Sequence, residues 1–213
     1  MSNVGLLYVG AVLFVNGLML LGKIDGKSAG IFNLFVGALQ VVFPFYIIAT
    51  AQGDATMIFS ASGIFLFGFT YLYVGITNLT GADGSGVGYY SLWVAILAVG
   101  YSIANFFYLG DVMFGFIWLM WAYLWTLFYL LLAKRKPIGE YTGWIAIVQS
   151  WITCTIPAFV TMIGIWEITT LTAIILGVGA LSFFVLFYLV KKPPTSLNET
   201  EKLQSDLGSE KLN

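Results

Sequence analysis

A chain of 213 residues that is 60% apolar, 9% charged and of mean hydropathy +0.93 is an integral membrane protein, since soluble domains carry about 25% charged residues. The net charge of -1 and the absence of histidine leave no basic stripe for nucleic acid, no Ser–His–Asp triad or Cys–His pair and no histidine metal centre. The lone Cys154 sits in an apolar span and has no disulfide partner. No enzymatic activity and no cofactor or metal are expected.

The first ten residues, MSNVGLLYVG, lack a basic n-region and a small-residue cleavage site, so they read as a retained first span rather than a signal peptide. A span needs about 20 mostly apolar residues. Segments 4–22, 29–51, 56–79, 89–109, 113–133, 142–165 and 168–190 qualify, which predicts an all-α bundle of seven transmembrane helices. The connections, such as KIDGK, GDAT and GDV, are so short that neighbours must run antiparallel, and the longest, TGADGSGVG, reads as a flexible glycine-rich loop. The organisation expected is a six-helix core over 1–166, a seventh helix over 167–191 and a polar, disordered tail over 192–213.

All nine basic residues (Lys23, Lys27, Lys134, Arg135, Lys136, Lys191, Lys192, Lys202 and Lys211) follow odd-numbered spans. By the positive-inside rule the N-terminus is outside and the tail cytoplasmic, in a bacterial inner membrane.

Internal similarity suggests repetition. LYVG occurs at Leu7–Gly10 and at Leu72–Gly75, with Asn16 and Asn78 following, and AYLWTLFYL (122–130) is a looser copy. The even-numbered spans begin alike, with FNLFVGALQ (32–40), YYSLWVAILA (89–98) and YTGWIAIVQ (141–149), and this aligns Gln40, Ala98 and Gln149. Six spans then form three repeated helical hairpins, and in transport proteins solute paths run where repeats meet.

No charged residue lies well inside a span. Ion pathways and proton relays need such groups, so the composition favours a conduit for a neutral solute. Trp118, Trp121 and Trp125 share one helical face of FIWLMWAYLWTLFYLLL (116–132) near mid-membrane, where each indole N–H needs a partner. Phe67 and Tyr71 share a face of the third span, and Leu6, Val9 and Leu13 form a stripe on the first. Both patterns also suit ordinary helix packing. Gln149 and Gln40 cannot face lipid unsatisfied, so each either lines a wet path or bonds to a neighbouring helix. Gly10, Gly68 and Gly75 read as close-packing positions.

Four stretches in order, LLYVGAVLFVNG (6–17), FLFGFTYLYVGITN (65–78), IWLMWAYLW (117–125) and PIGEYTGWIAI (137–147), resemble the AmiS/UreI family of bacterial inner-membrane channels for urea and short-chain amides. The resemblance covers residues 4 to about 166. It implies a protomer with its own pore, assembled as a homohexamer. It carries the pore constrictions onto Leu6, Val9 and Leu13, onto Phe67 and Tyr71, and onto Trp118, Trp121, Leu124 and Trp125; Gln149 is added as a candidate pore-lining residue on its own polarity. The family's acid-gated urea channel has a carboxylate where this chain has Gln149, a tryptophan where it has Phe114, and a longer, histidine-bearing outer loop in place of AQGDAT, so gating by histidine protonation is not available here. The partners expected are a small neutral solute and membrane lipid, with a cytoplasmic amidase or urease recruited by the tail as a further possibility. The rival readings are a membrane scaffold or sensor and an ion-coupled carrier.

Overall fold

The computed structural model describes residues 3–164 and Gly179. The predicted seventh span, 168–190, and the tail lie outside the described residues. Six helices in that region are long and apolar enough to cross a membrane: α1 (Asn3–Leu20), α2 (Gly26–Thr50), α3 (Ala55–Thr80), α4 (Ser85–Leu109), α5 (Val112–Leu132) and α6 (Gly139–Met162). Each matches a predicted span to within a few residues, because the length of an apolar run is set by the bilayer.

The ends have local causes. Asp25 and Asp54 accept N–H bonds from the first turns of α2 and α3, and Asp111 does the same for α5 through Phe114 N (2.9 Å). A side-chain acceptor there satisfies donors that a helix start leaves unpaired. Gly81 closes α3 at φ 72°, a left-handed position that suits glycine. The expected flexible loop is shorter than its composition suggests, since Ser85–Gly88 form the first turn of α4. Packing explains this: a Cβ on Gly88 would lie 2.8 Å from Ala133 Cβ, so the glycine brings α4 onto the end of α5.

Two helices contain π turns, at Asn105–Leu109 in α4 and at Ser150–Thr155 in α6. The second meets Gly10 of α1, where a Cβ would stand 2.9 Å from the Ser150 carbonyl oxygen. The bare glycine admits the widened backbone.

Extensive packing joins α2 to α3, α4 to α5 and α6 to α1, while α1–α2, α3–α4 and α5–α6 touch less. The closest pairs are therefore not the hairpins 1–2, 3–4 and 5–6 that the repeats suggested, but each even-numbered helix with the next odd-numbered one, α6 closing onto α1. Glycines set these distances. A Cβ on Gly30 would lie 3.1 Å from the Gly75 carbonyl oxygen across α2–α3, and one on Gly17 would lie 2.8 Å from that of Gly143 across α1–α6. In lipid, burial of apolar surface does not drive helices together, so close packing and buried polar ties carry more of the work. The ties are present. Asn16 and Asn33 exchange amide bonds of 3.0 and 2.6 Å between α1 and α2, and Gln40 Nε2 donates to the Gly5 carbonyl at 2.8 Å. Each such bond contributes about 0.6–2 kcal/mol.

A valine at Gly17 would overlap α6, and overpacking of this kind costs about 1–3 kcal/mol. Thermal unfolding in detergent is expected to show a lowered melting temperature for Gly17→Val and little change for Gly100→Val, whose Cβ would meet nothing within 4 Å.

Candidate functional site: a ring-capped cavity

α1, α3 and α5, with the start of α4, enclose a cavity of about 360 Å3, within the roughly 300–1,000 Å3 range of small-molecule pockets. α1, α3 and α5 all end at the face that carries Lys23, Lys27, Lys134, Arg135 and Lys136. Gly81, Ala82, Gly84 and Leu132 line the cavity there, and Leu13, Phe67 and Trp121 line it at mid-membrane. No lining residue is charged.

The mid-membrane end is a cluster of rings around Phe67, which is 2% exposed. Its ring centroid lies 4.7 Å from Trp121, edge-on at 80°, and 4.8 Å from Trp125. Trp118 stands 6.0 Å from Phe67 and 5.0 Å from Trp121. Behind it, Tyr101 of α4 stacks on Trp118 at 4.5 Å, and Gly63 leaves room, since a Cβ there would lie 2.9 Å from the Trp118 ring. Edge-to-face and offset contacts of this kind suit the ring quadrupoles.

The ten residues singled out by sequence divide. Leu13, Phe67, Tyr71, Trp121, Leu124 and Trp125 all line the cavity. Leu6, Val9 and Trp118 do not. They are buried closer to the opposite face. Gln149 is also outside the lining. It is fully buried, and its Nε2 donates to the Met120 carbonyl at 2.9 Å, so of the two readings left open it bonds to a neighbouring helix. Gln40 does the same toward Gly5, and in both residues Oε1 is buried without a hydrogen-bond partner.

The tryptophan donors are not equivalent. Trp121 Nε1–H is committed to Thr153 Oγ1 at 2.9 Å, and that hydroxyl donates to the Gln149 carbonyl at 2.6 Å. The Trp121 N–H is therefore already spent within the protein. The Trp125 N–H and the Tyr71 hydroxyl carry no protein hydrogen bond among the described residues, so they are the polar groups available at the ring end.

The sequence stripes stopped short of the full wall. Asn16 continues the α1 stripe three residues after Leu13, Val74 and Asn78 continue α3 from Tyr71 at 3-and-4 spacing, and Phe128 and Leu132 continue α5 from Trp125. Extending each period by two turns would have found them. Among the described residues no group of three His, Cys, Asp or Glu could hold a metal.

Among the described residues charge is confined to the loops and the first turns of helices. Arg135 Nη2 pairs with Asp83 Oδ2 at 3.3 Å, with the side chains 80% and 60% exposed, and exposed pairs of this kind contribute little. Hydrogen bonds from Ser85, helped by Arg135, hold the Asp83 carboxyl below its ordinary value, so it stays ionised near neutrality.

The family model of the AmiS/UreI family transporter matches residues 1–165. The chain belongs to the AmiS/UreI family. It is similar to AmiS2 of Rhodococcus erythropolis, assigned as a transporter, at 54% identity over 81% of this chain and 84% of that one. A Mycolicibacterium smegmatis protein, assigned as a transporter of amidate substrates, is 45% identical over 95% of this chain and 100% of its own length. The crystal structure of the urea channel of Helicobacter pylori superposes with a TM-score of 0.70 at 35% identity, covering 78% of this chain and 100% of that one. AmiS/UreI membership makes this a multi-pass protein of a channel and transporter family.

In this AmiS/UreI chain the ring cap should be more sensitive to substitution than rings on the outer surface. Trp125→Ala or Trp121→Ala is expected to alter urea or acetamide flux into proteoliposomes several-fold more than Trp93→Ala, whose side chain is 54% exposed. Equal effects of the three variants would contradict this.

Proposed function

We propose that this protein is a passive channel for small, neutral, planar solutes, urea and short-chain aliphatic amides such as acetamide, across a bacterial inner membrane. The observation that carries the reading is a cavity with no charged lining residue that ends on the Phe67–Trp121–Trp125 cluster, with the Tyr71 hydroxyl and Trp125 N–H unpaired among the described residues. Flat rings select a flat solute by shape. The two free polar groups can hydrogen-bond its carbonyl in passing. An ion entering the slot would lose its hydration with no ligand in return, at a cost of many kcal/mol. Binding weak enough to permit exit completes the requirement for conduction.

In this reading a solute passes from the cavity through the rings and between Leu6, Val9 and Trp118, which are buried beyond them toward the face opposite the lysines. In this reading that face is the periplasmic one, the N-terminus is outside, and the six spans form three repeated units around the pore of each protomer. Protomers assemble as a homohexamer through outward aromatic faces such as Phe45, Tyr46 and Trp93, all more than half exposed. The name of the Mycolicibacterium smegmatis relative favours amides as the main cargo.

Stopped-flow light scattering of reconstituted vesicles tests the proposal. Urea and acetamide are expected to enter faster than in protein-free vesicles, passively and without response to ionophores. Flux that collapses with an ionophore, or no flux of either solute, would contradict it. With no histidine in the chain, flux is also expected to change little between about pH 5 and pH 7.5. A steep rise on outside acidification would count against this reading of the gate.

A further inference from the structure

Most polar groups in the cavity wall already have protein partners. Thr70 Oγ1 donates to the Leu66 carbonyl at 2.6 Å and Ser91 Oγ to that of Val87 at 2.8 Å. Trp121 N–H is held by Thr153, and the Asn16 amide is paired with Asn33. Apart from Tyr71 and Trp125 at the ring end, two neighbours on α3 remain. Thr77 Oγ1 is buried and has no hydrogen-bond partner among the described residues. Asn78 Nδ2 has the thioether of Met19 at 3.3 Å, a weak acceptor.

Thr77 departs from the habit of its neighbours. Thr50, Thr70, Thr80, Thr126 and Thr142 each donate to the carbonyl four residues earlier, the ordinary arrangement for threonine within a helix. Thr77 does not, and a buried hydroxyl without a partner is unfavourable. It lines the inner part of the cavity next to Asn78, as do the α1 residues Asn16 and Met19.

We propose that Thr77 and Asn78 form a second polar subsite, for a primary carboxamide group (–CO–NH2, urea included). Six residues separate Tyr71 from Thr77, which at 1.5 Å per residue is about 9 Å along the helix. The two polar regions of the cavity are therefore distinct. At the inner one the Thr77 O–H and Asn78 N–H donate to the solute carbonyl, while Asn78 Oδ1 and Thr77 Oγ1 accept from its NH2. Val74 and Leu20 supply apolar wall for a short alkyl chain. Two modest sites in series let a solute step between them, which suits rapid passage better than one tight site. This inference rests on the transport reading above.

The test uses the full chain in proteoliposomes and the acetamide concentration that half-saturates flux. Thr77→Val keeps the shape and removes the hydroxyl. It is expected to raise that concentration about fivefold, the worth of one net hydrogen bond. Asn78→Leu should act in the same direction. Thr77→Ser should restore the wild-type value, and melting temperatures in detergent should be unchanged. An unchanged half-saturation in both Thr77→Val and Asn78→Leu would overturn the subsite, leaving these groups to water alone. So would a rise that Thr77→Ser shares, or one that tracks a fall in melting temperature. Wild-type vesicles that pass neither urea nor acetamide would overturn the transport reading first, and the subsite with it.

Discussion

The hydrocarbon core of a bilayer offers no water, so any polar group placed there must find its partner within the protein. The buried architecture of this chain follows from how it meets that demand. Asn16 and Asn33 satisfy each other between α1 and α2. Gln40 and Gln149 each spend an amide N–H on a backbone carbonyl of an adjacent helix, Gly5 and Met120. Trp121 reaches across to Thr153 in the π turn of α6. These ties hold α1 and α5 against their neighbours, from Gly5 near one end of α1 to Asn16 near the other, with Met120 and Trp121 at the depth of the ring cluster. The groups left unpaired along the cavity then define where a polar solute can be received.

In the proposed channel, the same constraint sets selectivity. A conduit without charged walls offers an ion nothing to replace its hydration. A planar amide gives up far less, because ring faces accept its flat surfaces and a few hydrogen bonds accept its edges. Phe67 is central to this arrangement, since it touches Trp118, Trp121 and Trp125 at once. The tryptophans differ in their bonding despite sharing one helical face: Trp121 is fixed by Thr153, whereas the Trp125 N–H has no protein partner among the described residues. Tyr101 backs Trp118 from α4 and is itself tied to Ser62 Oγ at 2.5 Å, so the cap is supported from outside the three lining helices.

The spans were legible in the sequence because apolar run length is a direct reading of bilayer thickness, and the shared face of Trp118, Trp121 and Trp125 because helical periodicity is geometric. Other features were hidden for physical reasons. The π turns in α4 and α6 leave no compositional mark, yet the one in α6 carries Thr153, the partner of Trp121. Gly88 looks like a loop residue until the approach of Ala133 shows why a helix needs glycine there. Gln149 had two readings from sequence, and only the position of the Met120 carbonyl separates them. The pairing of each even-numbered helix with the next odd-numbered one, set by bare glycine contacts such as Gly30 with Gly75, likewise has no signature in a repeat alignment.

The central claim is that an uncharged, ring-capped slot admits flat neutral molecules and rejects ions. It is tested most directly by following acetamide swelling and ion leak in the same vesicles, with a potassium gradient and an internal pH dye. The account predicts rapid swelling while proton and potassium leak stay at the level of protein-free vesicles. Swelling accompanied by a protein-dependent ion current would contradict it.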